Sequence, residues 1–183
     1  MSETLNLSIK GVLSYPYVFE PNRDGKFEVT VLIDKKDEKT KRALDLAVKA
    51  ASEEGMRGVW KGIKPASWSP VKDGDGTREN GNPYGEECRG KWVLRASSKF
   101  RPAVLGPDKT PVESASDVYG GCLAVVNVDF FPYSTNGRKG VSARLVGVWK
   151  IRDGKRFGGR SAEEVFSGMN ISDFLDDDDD LFG

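Results

Sequence analysis

The sequence predicts a mainly β domain with one amphipathic helix and an acidic C-terminal tail. Three observations carry that expectation. Apolar and polar residues alternate over several stretches in both halves of the chain, as half-buried strands require. Clear helical spacing occurs over residues 36–54, where Leu44, Ala47, Val48 and Ala51 share one face. Charge is sorted by position: all 28 Lys and Arg lie at or before Arg160, while residues 161–183 hold eight acidic residues and no basic one. The body has 28 basic against 20 acidic residues, a net +8, and the tail carries −8. A formal charge of zero thus conceals a cationic body, suited to a polyanion, tethered to an anionic tail able to compete with it.

Leu5, Leu7, Ile9 and Leu13 fall on one parity and Asn6, Ser8 and Lys10 on the other, which predicts a first strand. Phe27, Val29, Val31 and Ile33 predict a second, after a turn at Asn22-Arg23-Asp24-Gly25. The helix follows, with Gly55 as its expected stop, plugging one end of a sheet. Residues 56–90 are rich in Gly, Pro, Asn and charge yet contain Trp60, Trp68 and Tyr84, which suggests a functional loop. Within it, Asp73-Gly74-Asp75-Gly76-Thr77 imitates the start of a calcium loop. Arg78 stands where that loop needs Gly, and Tyr84 where it needs a bidentate Glu, so a turn is expected.

Residues 91–101 predict a further strand. Residues 121–133 and 140–152 predict a hairpin, turned at Asn136-Gly137 and tipped by Arg138 and Lys139. Ser161-Ala162-Glu163-Glu164 fits a capping box opening a short helix. The Asp-rich end has too little apolar surface to bury and is expected to be disordered. The division expected is a binding domain over 1–160 and an appendage over 161–183.

Composition removes several classes of function. Histidine is absent, which excludes His-based acid–base catalysis and Ser/His triads. Cys88 and Cys122 are too few for a zinc framework, and a disulfide between them is not expected in a reducing compartment. The N-terminus lacks the pattern of a secretory signal and no apolar run approaches a membrane span, so a cytoplasmic protein without cofactor or metal is expected.

The functional signal is a set of basic rows. Lys91, Arg95, Lys99 and Arg101 share one parity of their strand, with Trp92, Leu94, Ala96 and Phe100 on the core parity. Arg144, Lys150 and Arg152 align outward with Ser142, Val146 and Val148, leaving Val141, Ala143, Leu145, Trp149 and Ile151 for the core. Seven cations without an acid on these outward positions repel one another unless a polyanion neutralises them. Aromatics outside the core parities supply faces on which unpaired bases stack: Tyr15, Tyr17, Trp60, Trp68, Tyr84, Phe131 and Tyr133. Trp60, Trp68 and Tyr133 are the favoured three, with Lys10, Arg138 and Lys139 added to the phosphate track. In the tail, Phe174, Asp176, Asp177, Asp178, Asp179, Asp180, Leu181 and Phe182 form a partner-binding segment: the carboxylates occupy basic rims and the apolar residues a pocket.

An acidic tail with an aromatic near its end, behind a basic β domain, resembles the single-stranded-DNA-binding proteins of bacteria and their phages. More narrowly, VYGGCLAVVNVDFFPY followed by GRKGVSARLVGVWKIRDGKRFGG resembles a phage family of single-strand-binding proteins. That resemblance implies an OB-fold-like antiparallel barrel, closed or partly open. It also implies a non-enzymatic protein that coats single strands during phage replication or recombination. The expected partners are single-stranded DNA, replication or recombination proteins met by the tail, and further copies of the chain. Two alternatives stay open: a strand-annealing protein, and a metal-dependent nuclease drawing on Asp129 and Glu86-Glu87.

Overall fold

The computed structural model describes residues 5–66, 68–157 and 166–175. Seven strands form one sheet in the order β3-β4-β2-β1-β6-β7-β5. They are β1 (Asn6–Tyr17), β2 (Phe27–Asp34), β3 (Val71–Asp73), β4 (Lys91–Ser98), β5 (Ala103–Leu105), β6 (Leu123–Thr135) and β7 (Arg138–Arg152). A parallel contact between Ser97 of β4 and Arg144 of β7 closes β1, β2, β4, β7 and β6 into a five-stranded barrel. This is the OB-like barrel that the resemblance implied. β3 lies antiparallel along the start of β4, and β5 parallel along the later part of β7.

The strand alternation places its apolar parity inside. Ile9, Leu13, Val29, Val31, Ile33, Leu94, Ala96, Val126, Val128 and Phe130 are all buried within one core. The single α-helix among the described residues, α1 (Glu38–Arg57), sits between the second and third barrel strands and packs on β6, β1 and β7. Asp37 caps it by accepting the Thr40 amide at 3.2 Å.

Gly55 does not stop the helix as expected. It is buried in the final turn because the Trp60 ring packs directly on it, and a Cβ there would lie 2.7 Å from that ring. Gly58 is the residue that closes the helix.

The β6–β7 hairpin turns at Asn136 and Gly137, with φ of 51° and 79°. Two left-handed residues match the twist of the strands they join, which is why Asn-Gly suits this position. The Asp73–Gly76 segment is a turn, as expected: Gly76 N–H donates to the Asp73 carbonyl at 3.0 Å.

β7 departs from strict alternation. Asn127 pairs with Gly147 and Val128 with Leu145, so Val146 is an extra residue in a bulge. Ala143 and Leu145 face the core before it, and Val148 and Lys150 turn inward after it. Lys150 is therefore not on the outward row assigned from parity. It is 8% exposed and bonds Asp153 at 2.6 Å.

Phe100 is a second correction, being 80% exposed rather than core, because β4 ends at Ser98. Trp149 and Trp92 are half-buried. Both cysteines are free and buried. The helix expected from the Ser161–Glu164 capping box lies outside the described residues.

Candidate nucleic-acid interface

Outward-facing positions on β4 run Lys91, Val93, Arg95, Ser97. On the adjoining β2 they run Asp34, Leu32, Thr30, Glu28 in antiparallel register. Two grooves meet on this surface, divided between the consecutive outward residues Arg95 and Ser97. The larger, about 550 Å³, lies beneath residues 70–90, which fold back as a flap; Tyr15, Lys72, Arg78, Tyr84 and Arg95 are among its lining. The smaller, about 260 Å³, is bounded by Lys26, Ser97, Lys99, Phe100, Phe131 and Arg144.

Aromatic faces and cations are interleaved along this path. The Arg144 guanidinium lies 5.2 Å from the Phe131 ring, and that of Arg78 lies 5.3 Å from Tyr84. Arg101 extends the flank, 5.5 Å from the Phe19 ring in the β1–β2 loop. Burial, partly offset by the Arg78 charge, raises the Tyr84 phenol above its usual range, so it stays neutral at physiological pH.

The basic row of β4 is not free of acids. β2 supplies Glu28, which pairs with Arg95, and Asp34, which lies 3.4 Å from Lys91. Lys26, Lys99 and Arg144 have no ion-pair partner among the described residues.

The remaining predicted residues divide by location. Trp60 is wholly buried and its indole N–H donates to the Tyr133 carbonyl at 3.0 Å, so it has no face for a base. Trp68 is half-buried with Lys64 4.1 Å above its ring, and its carbonyl lies close to Gly140, which pairs with Tyr133 near the tip of the hairpin. Arg138 and Lys139 are exposed at the hairpin tip but line neither groove.

Lys10 stands exposed on β1 opposite Val125, and Arg152 at the end of β7 far from Arg144; neither joins the path. Phe174 is exposed, while Asp176 to Phe182 lie outside the described residues. Parity reasoning missed Lys26, Lys72 and Arg78, because loop and short-strand residues have no period to follow.

The flap is fastened at its base by one lysine. Lys35 Nζ lies 2.6 Å from both Asp73 Oδ1 and Asp75 Oδ2, and Asp75 Oδ1 accepts the Gly90 amide at 3.0 Å. Gly74 sits between these aspartates with no room for a side chain; a Cβ would meet the Cys88 carbonyl at 2.0 Å.

The hydrogen bonds that Lys35 donates to Asp73 and Asp75 lower the pKa of both aspartates and raise that of Lys35. Lowered carboxylate values mean that the lock persists at pH 3.8, the ordinary value, and is lost as pH falls through the folded ones. At the other end it is lost as pH rises past the raised Lys35 value, above 10.5. Lys35→Met is expected to speed hydrogen exchange at Gly90 and across residues 74–90 at neutral pH, leaving β1 and β6 unchanged. Wild-type exchange rates in the flap of the variant would refute the lock.

Among the described residues no group of three or more His, Cys, Asp or Glu is placed to hold an ion. Asp129 accepts a hydrogen bond from Asn6 at 2.6 Å on the β1–β6 face, whereas Glu86 and Glu87 belong to the flap. No described helix is long and apolar enough to cross a membrane.

Comparison with known proteins adds three findings. The family model described as Enterobacter phage Enc34, ssDNA-binding protein, matches residues 8–181. Putative protein p50 of Acyrthosiphon pisum secondary endosymbiont phage 1 is 29% identical over 175 residues, covering 88% of this chain and 91% of that protein.

Among solved structures, the single-stranded DNA-binding protein from bacteriophage Enc34 superposes with a TM-score of 0.74 at 26% identity, covering 88% of this chain and 89% of that one. The same protein in complex with ssDNA gives 0.73 at 26%, covering 85% and 91%. gp2.5 of bacteriophage T7, a single-stranded DNA binding protein, gives 0.59 at 18%, covering 90% and 96%, a likeness of fold.

Proposed function

The chain belongs to the Enc34 ssDNA-binding protein family, and from that premise we propose that it binds single-stranded DNA without reading sequence, along the outer face of β4. The observation that carries this reading is the pair of adjoining grooves in which Arg95, Ser97 and Lys99 run beside Phe131 and Arg144. Cations spaced along a groove neutralise successive phosphates and release their counterions. Exposed rings stack on bases of any identity, which single strands offer and duplexes hide.

The biological role that follows is coating and protecting single strands in phage replication or recombination, in the host cytoplasm, by a protein that is not an enzyme. Residues 1–160 are the binding unit and 161–183 a separate appendage. The tail competes with DNA for the groove and, once displaced, recruits replication or recombination proteins.

Geometry favours this competition. After β7 the chain runs on beside residues 120–122, Phe157 N–H donates to the Gly120 carbonyl at 3.0 Å, and Phe157 packs on the cluster of Leu32, Cys88 and Val93 that Tyr84 also covers. A net charge of −8 is thus tethered next to the groove, where a short tether makes its effective concentration high.

The test is a titration of fluorescent oligonucleotides at several salt concentrations, with intact protein and with a truncation after Gly168. Affinity for single strands is expected to exceed that for duplex, and log affinity to fall with log salt by about 0.7 per phosphate contacted. Truncation is expected to tighten DNA binding and abolish capture of replication partners. Salt-independent affinity, or preference for duplex, would refute the reading of the body. Unchanged affinity together with unchanged partner capture would refute that of the tail.

A further inference from the structure

The larger groove has about twice the volume of the smaller one and takes much of its lining from the flap. It is roofed by the flap, and its volume of about 550 Å³ falls within the roughly 300–1,000 Å³ of pockets that enclose small ligands. Two aromatic residues line it from different elements: Tyr84 from the flap and Tyr15 from β1. We propose that this compartment is an anchor subsite that holds one nucleotide of the bound strand, with its base between Tyr15 and Tyr84 and its phosphate on Arg78 and Lys72. The proposal rests on the reading of the β4 face as a strand-binding site, and adds an inequality within it: one position is walled by the flap while the rest of the strand lies along β4.

Tyr15 is the most telling residue. Its φ is 47°, in the left-handed region that a bulky side chain occupies only under constraint. It falls within an irregularity of the β1–β2 pairing between Ser14 and Tyr17, and its side chain remains 68% exposed. Nothing in core packing requires an exposed tyrosine in strained backbone; a site that must aim a ring across a groove does.

Tyr84 is held differently. It packs on the cluster of Leu32, Cys88 and Val93, and the Arg78 guanidinium lies 5.3 Å from its ring centroid. The flap that carries both is fixed by Lys35, Asp73 and Asp75, so the roof is preorganised rather than folded at the moment of binding.

The polar lining orients the nucleotide. Glu79 and Glu87 also face the compartment and repel phosphate, while Arg78 and Lys72 attract it. Two carboxylates beside two cations that have no ion-pair partner among the described residues disfavour a continuous run of phosphates here. Arg95, already paired with Glu28, marks the threshold where the strand passes to the smaller groove.

Photocrosslinking tests the subsite in the full-length protein, using oligo(dT) with one 5-iodouracil at successive positions. Cross-links are expected on Tyr15 or Tyr84 from a single register of the bound strand, with other registers reaching Phe100 or Phe131. Tyr84→Leu, which keeps the apolar packing, and Tyr15→Ala, at an exposed position, are each expected to weaken binding about five- to a hundredfold without changing the salt slope. Arg78→Ala is expected to reduce the slope by about 0.7.

Cross-links confined to Phe100 and Phe131, with both tyrosine variants binding like wild type, would overturn the subsite while leaving the function intact. Failure of the wild type to bind single strands at all would overturn both.

Discussion

Trp60→Ala is expected to lower the free energy of unfolding by about 3–5 kcal/mol, in the range of aromatic-to-alanine changes in cores. The indole is fully buried, its ring packs on Gly55 in the last turn of α1, and its N–H satisfies the Tyr133 carbonyl at 3.0 Å. Truncation therefore opens a cavity where the helix meets the hairpin strand β6, and leaves a backbone acceptor without its partner. Trp60→Phe retains part of the ring while losing the donor, and should cost less than the alanine change. Urea denaturation followed by circular dichroism gives both values from the shift in midpoint. A stacking residue would behave in the opposite way, with stability unchanged and DNA affinity reduced in the folded protein. That outcome would return Trp60 to the interface, where the sequence alone had placed it.

Trp60 illustrates which parts of the chain were legible in advance. β1, β2, β4 and the β6–β7 hairpin were readable because each has one face in the core, so that burial imposes a period of two on the sequence. The helix was readable for the same reason with a different period. Its end was not, since Gly55 is where a ring packs closely and only looks like a stop signal.

The bulge at Val146 was invisible because an extra residue leaves no compositional trace, yet it turns Val148 and Lys150 to the inner face. Lys150 was assigned outward for that reason and is instead buried against Asp153. The acids that temper the basic row stand on β2, and only the strand register brings Glu28 and Asp34 beside Arg95 and Lys91. The flap was recognised as an aromatic-rich loop, but a loop has no period. That Tyr84 and Arg78 fold over the β4 face depended on a tertiary lock between Lys35 and two aspartates.

The combined change Lys26→Ala, Lys99→Ala, Arg144→Ala is expected to lower affinity for single-stranded DNA on the order of a hundredfold at low salt, with the deficit shrinking as salt rises. These three line the smaller groove from the β1–β2 loop, the residue after β4 and the middle of β7, and none has an ion-pair partner among the described residues. Each can therefore meet a phosphate without first giving up a carboxylate. Arg95 is left in place because removing it would strand Glu28 and confuse lost attraction with new repulsion.

Three phosphate contacts at about 0.7 each predict a salt slope shallower by about 2. Stability should hardly move, since all three side chains are exposed. The matched control is Lys10→Ala with Arg152→Ala, which removes two cations from the body but none from either groove. If binding follows the groove, the control shifts the slope little. A control that weakens binding as much as the triple change would mean that phosphate responds to the general positive charge of the body, and the path along β4 would lose its claim.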